Sequence, residues 1–472
     1  MRIAMRRAAT TMLAVCLSAA ASLAVAADDV TRRVDEIFEE WARTDSPGCA
    51  VAASQNGHIV LERGYGMADL EQGVAIRPDT VFNIASVSKQ FTAASLLLLQ
   101  EQGKLSLADD VRKYVPELPD YGKPITLRHL ANHTSGLRDL PALLALGGWN
   151  WVDAVPGEQA LALISRQQRL NFAPGTRYSY SNSGYYLMAL IVERVSGQRF
   201  SEFTQQQIFQ PLGMLHSRFY DDRRMIMKNR AIGHVRLPGG GFGVWRPTYE
   251  IVGDGGLLTT LQDLAIWDRN FLQPRLGRNP QQLVTDMVQA AVLNDGSKTG
   301  YALGLMLDEY RGLPIVNHGG GVPGYNTFLL RFPEQKFAVV VLCNVGGGPA
   351  RVAAKAVADI YLEGQFPKGP EAPPLRPQPH IPAKAAQQPS DRELARFTGS
   401  YVNEELDARY RLKVSDHQLT VVVGYLPPLP FYSIDGKRFY NEDNDLTLSF
   451  AGDSFVLAAG EVQGLKFSRV GR

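Results

Sequence analysis

One stretch of the sequence constrains the fold of this chain more than any other. It runs from Phe82 to Lys104, and its apolar residues recur every three to four positions up to Gly103. This period predicts a long, mostly buried helix that ends at Gly103, since glycine suits the left-handed conformation of a helix stop. Residues three apart share one face of a helix, so Ser86 and Lys89 are predicted to lie side by side in its first turn.

A serine followed three residues later by a lysine is a candidate nucleophile and base. A serine hydroxyl is a poor nucleophile until a base takes its proton, and a lysine amine takes it only when burial and cationic neighbours lower its pKa. The start of a buried helix offers a dry site with free N–H groups. Because the S-x-x-K pattern is common by chance, the assignment of Ser86 and Lys89 to catalysis depends on the rest of the chain.

The first residues have the pattern of a secretory signal peptide. Three arginines precede an apolar run from Met12 to Val25, which ends in Ala24-Val25-Ala26. This pattern predicts a signal peptide over residues 1–26 and an exported protein, periplasmic or secreted. No later apolar run is long enough to span a membrane.

Charge and composition indicate a globular protein and give no support for a nucleic-acid-binding one. The formal net charge is +2, and removal of the three arginines leaves 2 − 3 = −1, which gives no electrostatic case for a nucleic-acid partner. With 472 residues, 45% of the composition hydrophobic and 20% charged, the chain is globular and long enough for one large domain and a smaller one.

Two cysteines follow the predicted signal peptide. Cys49 and Cys343 each lie in an apolar, strand-like run. They are either two small core residues or a disulfide pair, which an oxidising compartment permits. Neither lies in a Cys/His ligand pattern, and no metal site is predicted.

The order of the remaining patterns predicts an α+β domain over residues 28–365. A strand hairpin through Asn56-Gly57 opens it, and strands over Ile315–Asn317, Tyr325–Phe332 and Phe337–Asn344 close it, with helical patterns between. Strands at both ends that bracket a helical middle indicate one antiparallel sheet, assembled from the two ends and flanked by helices, with an all-helical lobe.

A second, smaller domain follows a proline-rich segment. Residues 366–390 carry eight prolines and are predicted to form an extended, semi-rigid linker. Residues 391–472 contain eight short β-like runs separated by turns. Such spacing is typical of a small antiparallel barrel or sandwich.

Two further motifs stand in order after Ser86 and Lys89. They are Tyr180-Ser181-Asn182 and His318-Gly319-Gly320-Gly321. The three motifs together resemble the serine β-lactamase and penicillin-binding-protein superfamily, most closely its class C β-lactamase-like branch of D-aminopeptidases, DD-peptidases and esterases. The resemblance covers roughly residues 30 to 365, and the C-terminal barrel resembles the lipocalin-like domains appended to some of these hydrolases.

The resemblance implies a role for each motif residue. Ser86 would attack a carbonyl to form an acyl-enzyme, and Lys89 would hold or accept its proton. Tyr180 would act as a base, with its pKa lowered by the neighbouring ammonium. Asn182 would orient Lys89 and donate to the amide of the substrate, while the N–H groups of Ser86 and Gly321 would form the oxyanion hole.

The third motif departs from many members of the superfamily. His318 stands where many have lysine, and Gly319 replaces a threonine hydroxyl, which weakens the clamp on a substrate carboxylate. We therefore expect a peptidase or an esterase rather than a dedicated β-lactamase. Gly320 and Gly321 complete the predicted substrate-binding strand, and His129 and His133 are predicted to be structural.

The sequence leaves several alternatives open for the substrate and the function. A D-amino-acid peptidase and an esterase of small esters use the same chemistry, and the substrate is a small molecule or a peptide. A penicillin-binding or sensor protein that acylates without turnover, or a true β-lactamase, is the alternative function. No cofactor is implied, and the barrel is expected to hold a ligand, cap the active site or mediate assembly, with the oligomeric state left open.

Overall fold

A six-stranded antiparallel sheet underlies the larger part of the chain. The computed structural model describes residues 28–150, 153–245, 250–367, 382–385 and 387–471, so the predicted signal peptide and most of the predicted linker lie outside the described residues. The strands before the C-terminal barrel are β1 (Cys49–Gln55), β2 (His58–Tyr65), β3 (Met67–Asp69), β4 (Val74–Ala75), β5 (Phe82–Asn83), β6 (Arg218–Phe219), β7 (Gly233–Arg236), β8 (Phe242–Trp245), β9 (Leu257–Thr259), β10 (Met306–Tyr310), β11 (Leu313–Val322), β12 (Tyr325–Phe332) and β13 (Phe337–Cys343).

The order of the main sheet is β10-β11-β12-β13-β1-β2. The first and last strands of this part, β1 and β13, are therefore neighbours inside the sheet, which confirms the predicted sheet built from both ends. Asn56 and Gly57 turn between β1 and β2 with φ angles of 54° and 77°, as the Asn-Gly signal predicts. Cys49 lies opposite Cys343 in the β1–β13 register and is joined to it by a disulfide bond. Because both are buried, they form a disulfide within the core.

Helices cover both faces of the sheet. A helix α1 over residues 28–37 precedes it. The others are α2 (Lys89–Glu101), α3 (Leu127–Ala131), α4 (Leu140–Leu146), α5 (Gly157–Ser165), α6 (Asn182–Ser196), α7 (Phe200–Thr204), α8 (Gln210–Leu212), α9 (Leu261–Leu272), α10 (Pro280–Met287), α11 (Ala350–Tyr361) and α12 (Asp391–Leu394). Among the described residues, no helix is both long and apolar enough to span a membrane.

Alternate residues of β1 point to the two faces. Val51 and Ala53 pack with Val34 of α1 and Val357 of α11, whereas Ala50 and Ala52 face the core around α2. This alternation follows from the twofold period of a strand. The sheet is therefore buried on both sides, and α2 lies on its inner face together with most of the other helices.

The C-terminal part is a closed eight-stranded barrel in which each strand pairs with the next, and the last with the first. The barrel, rather than the sandwich, is thus the correct alternative. Its strands are β14 (Gly399–Asn403), β15 (Ala408–Ser415), β16 (Gln418–Val423), β17 (Leu429–Ser433), β18 (Arg438–Asn441), β19 (Leu446–Ala451), β20 (Ser454–Ala459) and β21 (Val462–Val470).

Candidate active site

Ser86 lies in a tight turn at the start of α2. The chain leaves β5, makes a 3-10 turn over Ala85–Ser88 and enters α2 at Lys89. Ala85 adopts a φ angle of 47°, a left-handed conformation that is unfavourable for a residue with a Cβ. The Ala85 N–H donates to Asn83 Oδ1 at 2.9 Å, which helps to hold this turn. The α-helix ends at Glu101, and Gly103 has a φ angle of 72°, so the predicted helix stop is confirmed.

Lys89 is fully buried beneath Ser86. Its Nζ atom donates to Asn182 Oδ1 at 2.7 Å, to Ser86 Oγ at 3.1 Å and to the main-chain oxygen of Asp254. Three acceptors match the three N–H bonds of an ammonium. Burial lowers the pKa of Lys89 to about 8, and the carboxylates of Asp254 and Asp139 oppose this shift. The amine is therefore far easier to deprotonate than an ordinary lysine.

Tyr180 lies on the other side of the nucleophile. The neighbouring Ser86 side chain acts to lower the pKa of its phenol, and Lys89 Nζ lies 4.9 Å from the centre of its ring. Burial raises the pKa of Tyr180 well above the usual value of a phenol, and this effect exceeds the lowering by Ser86. The expectation of a lowered pKa for Tyr180 is therefore wrong, because desolvation is the largest effect and the neighbouring tyrosines and Asp254 add to it. Tyr180 remains a phenol, which can relay or donate a proton.

His133 supports Tyr180 from behind. The two rings lie 4.2 Å apart between centres, and His133 Nδ1 accepts from the Ser181 N–H at 3.0 Å. Burial lowers the pKa of His133 well below its usual value, so the ring is neutral. His129 caps α3 by a reciprocal contact with Thr126. Both histidines thus have the structural positions expected of them.

Asn182 is the first residue of α6, and its orientation is set by a residue that the motif analysis missed. Asp139 Oδ1 accepts from both the main-chain N–H and the Nδ2 group of Asn182, at 2.7 and 2.9 Å. This contact directs Oδ1 of Asn182 towards Lys89. Asp139 is also the N-cap of α4, and an aspartate just before Leu140-Pro141 is a helix-start signal that could have identified it.

The glycine motif lies on β11, which extends to Val322 rather than ending at Asn317 as predicted. A Cβ on Gly320 would lie 2.3 Å from the main-chain oxygen of Ile84 and 2.4 Å from Thr327 Oγ1, whereas Gly321 has open space. Gly320 therefore permits close contact between this strand and the turn that carries Ser86.

The ring nitrogens of His318 contact other groups of the protein. Its side chain is buried, with Nδ1 2.7 Å from the main-chain oxygen of Gly319 and Nε2 3.0 Å from the hydroxyl of Tyr301. This geometry agrees with the expected weakness of a carboxylate clamp at this position.

A cavity of about 140 Å³ opens in front of Ser86. Asn182 and Gly321 line it with Ser86, and Asp254 is the charged residue among the described residues of its lining. The side chain of Asp254 is buried, its Oδ1 atom has no hydrogen-bond partner among the described residues, and burial raises its pKa to about 6. Much of the remaining wall is apolar, from Pro141, Tyr220, Trp245, Ile251, Val322 and Pro323.

The structure thus brings four predicted residues into direct contact, namely Ser86, Lys89, Tyr180 and Asn182, and places the glycine motif beside them. Asp254, like Asp139, was not singled out from the sequence. Its position in Gly253-Asp254-Gly255-Gly256, a turn that carries no charge apart from this aspartate, is the signal that could have identified it.

Comparison with known proteins identifies the family to which this chain belongs. The Beta-lactamase family matches residues 33–362, and the chain belongs to this family.

The chain is also similar to individual proteins of known name and to solved structures. The chain is 29% identical over 375 residues to a D-aminopeptidase of Gluconobacter oxydans, which covers 79% of this chain and 66% of the relative. This chain therefore spans slightly less than two thirds of the length of that relative. It is 27% identical to penicillin-binding protein 4* of Bacillus subtilis, over 90% of this chain and 96% of the relative. The structure of an octameric penicillin-binding protein homologue from Pyrococcus abyssi shares the fold, with a TM-score of 0.64 and 24% identity, over 93% of this chain and 99% of that one.

Proposed function

We propose that this chain is an exported hydrolase that forms an acyl-enzyme on Ser86 and cleaves amide bonds of small D-amino-acid substrates. The observation that carries the proposal is the buried Lys89 ammonium, which contacts Ser86 Oγ at 3.1 Å and Asn182 Oδ1 at 2.7 Å. A lysine whose pKa is lowered by burial beside a serine hydroxyl is the arrangement needed for nucleophilic catalysis.

Acylation begins when the neutral form of Lys89 takes the proton of Ser86. Oγ then forms a bond to the substrate carbonyl, the bond to the leaving nitrogen breaks, and that nitrogen receives the proton. Tyr180, a phenol whose pKa responds to the neighbouring Ser86 side chain, is the group that relays this proton. In deacylation, water attacks the ester carbonyl, the bond to Oγ breaks, and Ser86 regains a proton.

The charge of the cavity favours a substrate that carries an amine near the scissile bond. Asp254 is the charged residue in the part of the lining that the structure describes, and its pKa of about 6 leaves the carboxylate ionised at neutral pH. His318 has both ring nitrogens engaged within the protein and offers no strong partner to a carboxylate. These two features support a free ammonium group, as in an aminopeptidase substrate, over the carboxylate of a β-lactam. The D-aminopeptidase relative supports the same class.

Hydrolysis of small esters is the second candidate. It uses the same acyl-enzyme, and the apolar wall formed by Trp245, Ile251 and Val322 favours an apolar acyl group. A penicillin-binding protein without turnover, or a β-lactamase, is the remaining alternative. The former requires no base for deacylation, whereas Lys89 and Tyr180 are both present at Ser86.

The test is a set of matched chromogenic substrates. We expect D-alanine p-nitroanilide to be hydrolysed faster than its L-enantiomer, its N-acetyl derivative and a penicillin. Asp254→Asn should reduce the preference for the free amine over the N-acetyl derivative. Equal rates on the free and acetylated amides would contradict the proposed amine recognition. Turnover of the ester p-nitrophenyl acetate alone would favour the esterase.

Export is part of the proposal. It is supported by the residues before Asp28, with their arginines, apolar run and small-residue cleavage pattern, and by a disulfide that is favoured outside the reducing cytosol. Expression of the full chain in a Gram-negative host, followed by fractionation and N-terminal sequencing, tests it. A product that begins at Ala27 in the periplasm is expected, and an uncleaved cytoplasmic protein would contradict it.

A further inference from the structure

A buried arginine connects the active-site region to the C-terminal barrel. Arg138 Nη1 donates to Glu405 Oε2 at 2.6 Å and to Gln167 Oε1 at 2.8 Å, while Nε and Nη2 donate to the main-chain oxygen of Gln463 at 3.1 and 2.8 Å. Glu405 and Gln463 belong to the barrel. The side chain of Arg138 is 1% exposed and that of Glu405 is 17% exposed, so the barrel supplies the countercharge of a guanidinium removed from water.

The next residue of the chain, Asp139, contacts both the barrel and the candidate active site. Asp139 donates its main-chain N–H to the oxygen of Glu461 in the barrel at 3.4 Å. Its Oδ1 atom accepts from the main-chain N–H and the Nδ2 group of Asn182. Asn182 Oδ1 then accepts from Lys89 Nζ at 2.7 Å. Adjacent residues thus contact the barrel on one side and the catalytic amide on the other.

The orientation of the Asn182 amide depends on this contact. With Nδ2 held by Asp139, the oxygen must face Lys89, where it stabilises the ammonium. A displaced Asp139 would leave the amide free to rotate and would remove one of the three acceptors of Lys89. Pro141, in the first turn of α4 after the Asp139 cap, lines the cavity, so the same displacement would alter the cavity wall.

We propose that the barrel is part of the catalytic apparatus, with Glu405 and Arg138 as positioning residues that hold Asp139 where it orients Asn182. This inference rests on the proposed function of Ser86 and Lys89. Other contacts fix the barrel in the same place: Tyr410 donates its hydroxyl to the oxygen of Leu146 at 2.8 Å, and Asn171 exchanges hydrogen bonds with the turn at Glu461 and Gln463.

The barrel provides a matched pair of variants. Glu405→Gln removes the countercharge of Arg138 while keeping its shape. Asp407→Asn, in the same turn, makes the same change at an exposed ion pair with Arg166, in which the charged atoms are 3.8 Å apart. We expect Glu405→Gln to lower kcat about 10- to 100-fold, since small misplacements of catalytic groups are costly. Asp407→Asn should change kcat by less than about twofold, because exposed pairs contribute little.

A pH profile separates positioning from a general loss of stability. The charged and titratable groups that the structure describes around Lys89 are Asp139, Asp254, His133, Tyr180 and Tyr185. Loss of the Asn182 acceptor should move the lower apparent pKa of kcat/KM down by about half to one unit in Glu405→Gln, because the ammonium is less stabilised. A lower kcat with an unchanged profile would contradict positioning through Asn182.

A double-mutant cycle completes the test. If Glu405 acts through Asp139, the effects of Glu405→Gln and Asp139→Asn on kcat should be clearly less than additive. Additive effects, or equal activities for Glu405→Gln, Asp407→Asn and the wild type, would overturn the inference. The absence of turnover by the wild-type protein on every substrate, with no labelling of Ser86 by a fluorophosphonate, would overturn the proposed function instead.

Discussion

Gly320→Ala should destabilise the protein and disable the site, although it adds only one methyl group. The Cβ would lie 2.3 Å from the oxygen of Ile84, 2.4 Å from Thr327 Oγ1 and 3.1 Å from the Cβ of Ala85. Two of these contacts must lengthen by about 1 Å, and overpacking of this kind costs about 1–3 kcal/mol. The movement also disturbs the hydrogen bond from Thr327 Oγ1 to the Ile84 oxygen at 2.9 Å, which contributes about 1 kcal/mol. We therefore expect a loss of about 2–4 kcal/mol in the free energy of unfolding.

The assay is equilibrium unfolding in urea, together with kcat/KM on the preferred substrate. Gly321→Ala, on the same strand with open space around its Cβ, is the control for stability alone and should change it by less than about 0.5 kcal/mol. A shift of β11 away from Ser86 by about 1 Å should lower kcat/KM by about 100-fold in Gly320→Ala. If Gly320→Ala and the wild type have equal stability and activity, the proposed close contact between β11 and the nucleophile turn is wrong.

Three further predictions follow from the site and the core. The kcat/KM value should fall as the pH decreases below about 8, because protonated Lys89 cannot take the proton of Ser86; a flat profile from pH 6 to 9 would contradict this. Preference for a free amine should decline below about pH 6 as Asp254 becomes protonated, measured as the ratio of kcat/KM for the free and N-acetylated amides. Reduction of the Cys49–Cys343 disulfide should lower the free energy of unfolding by about 2–5 kcal/mol, and an unchanged Tm with dithiothreitol would count against it.

Much of the fold could be predicted because it depends on local patterns. The eight barrel strands follow from alternation and turn residues, and the Asn56-Gly57 turn follows from its backbone requirement. The extent of β11 could not be predicted, because a run of glycines has low strand propensity and this one is stabilised by its partners β12 and the nucleophile turn. In this case tertiary contact, rather than local preference, decides the structure.

Only some residues of the candidate site could be predicted from the sequence. Ser86, Lys89 and Asn182 belong to spaced motifs and could be found. Asp139 and Asp254 belong to none, and their importance arises from burial and from neighbours distant in the chain. The raised pKa of Tyr180 could not be predicted from residue types alone, because it arises mainly from burial in the folded protein.

The most direct test of the account is the identity of the acylated residue. The purified protein and Ser86→Ala would each be treated with a fluorophosphonate and with D-alanine amide, and analysed by intact-mass spectrometry and peptide mapping. We predict one fluorophosphonate adduct, located on Ser86 and absent from the variant, together with release of D-alanine by the wild type alone. An adduct on another residue, or product formation by Ser86→Ala at the wild-type rate, would contradict the central claim.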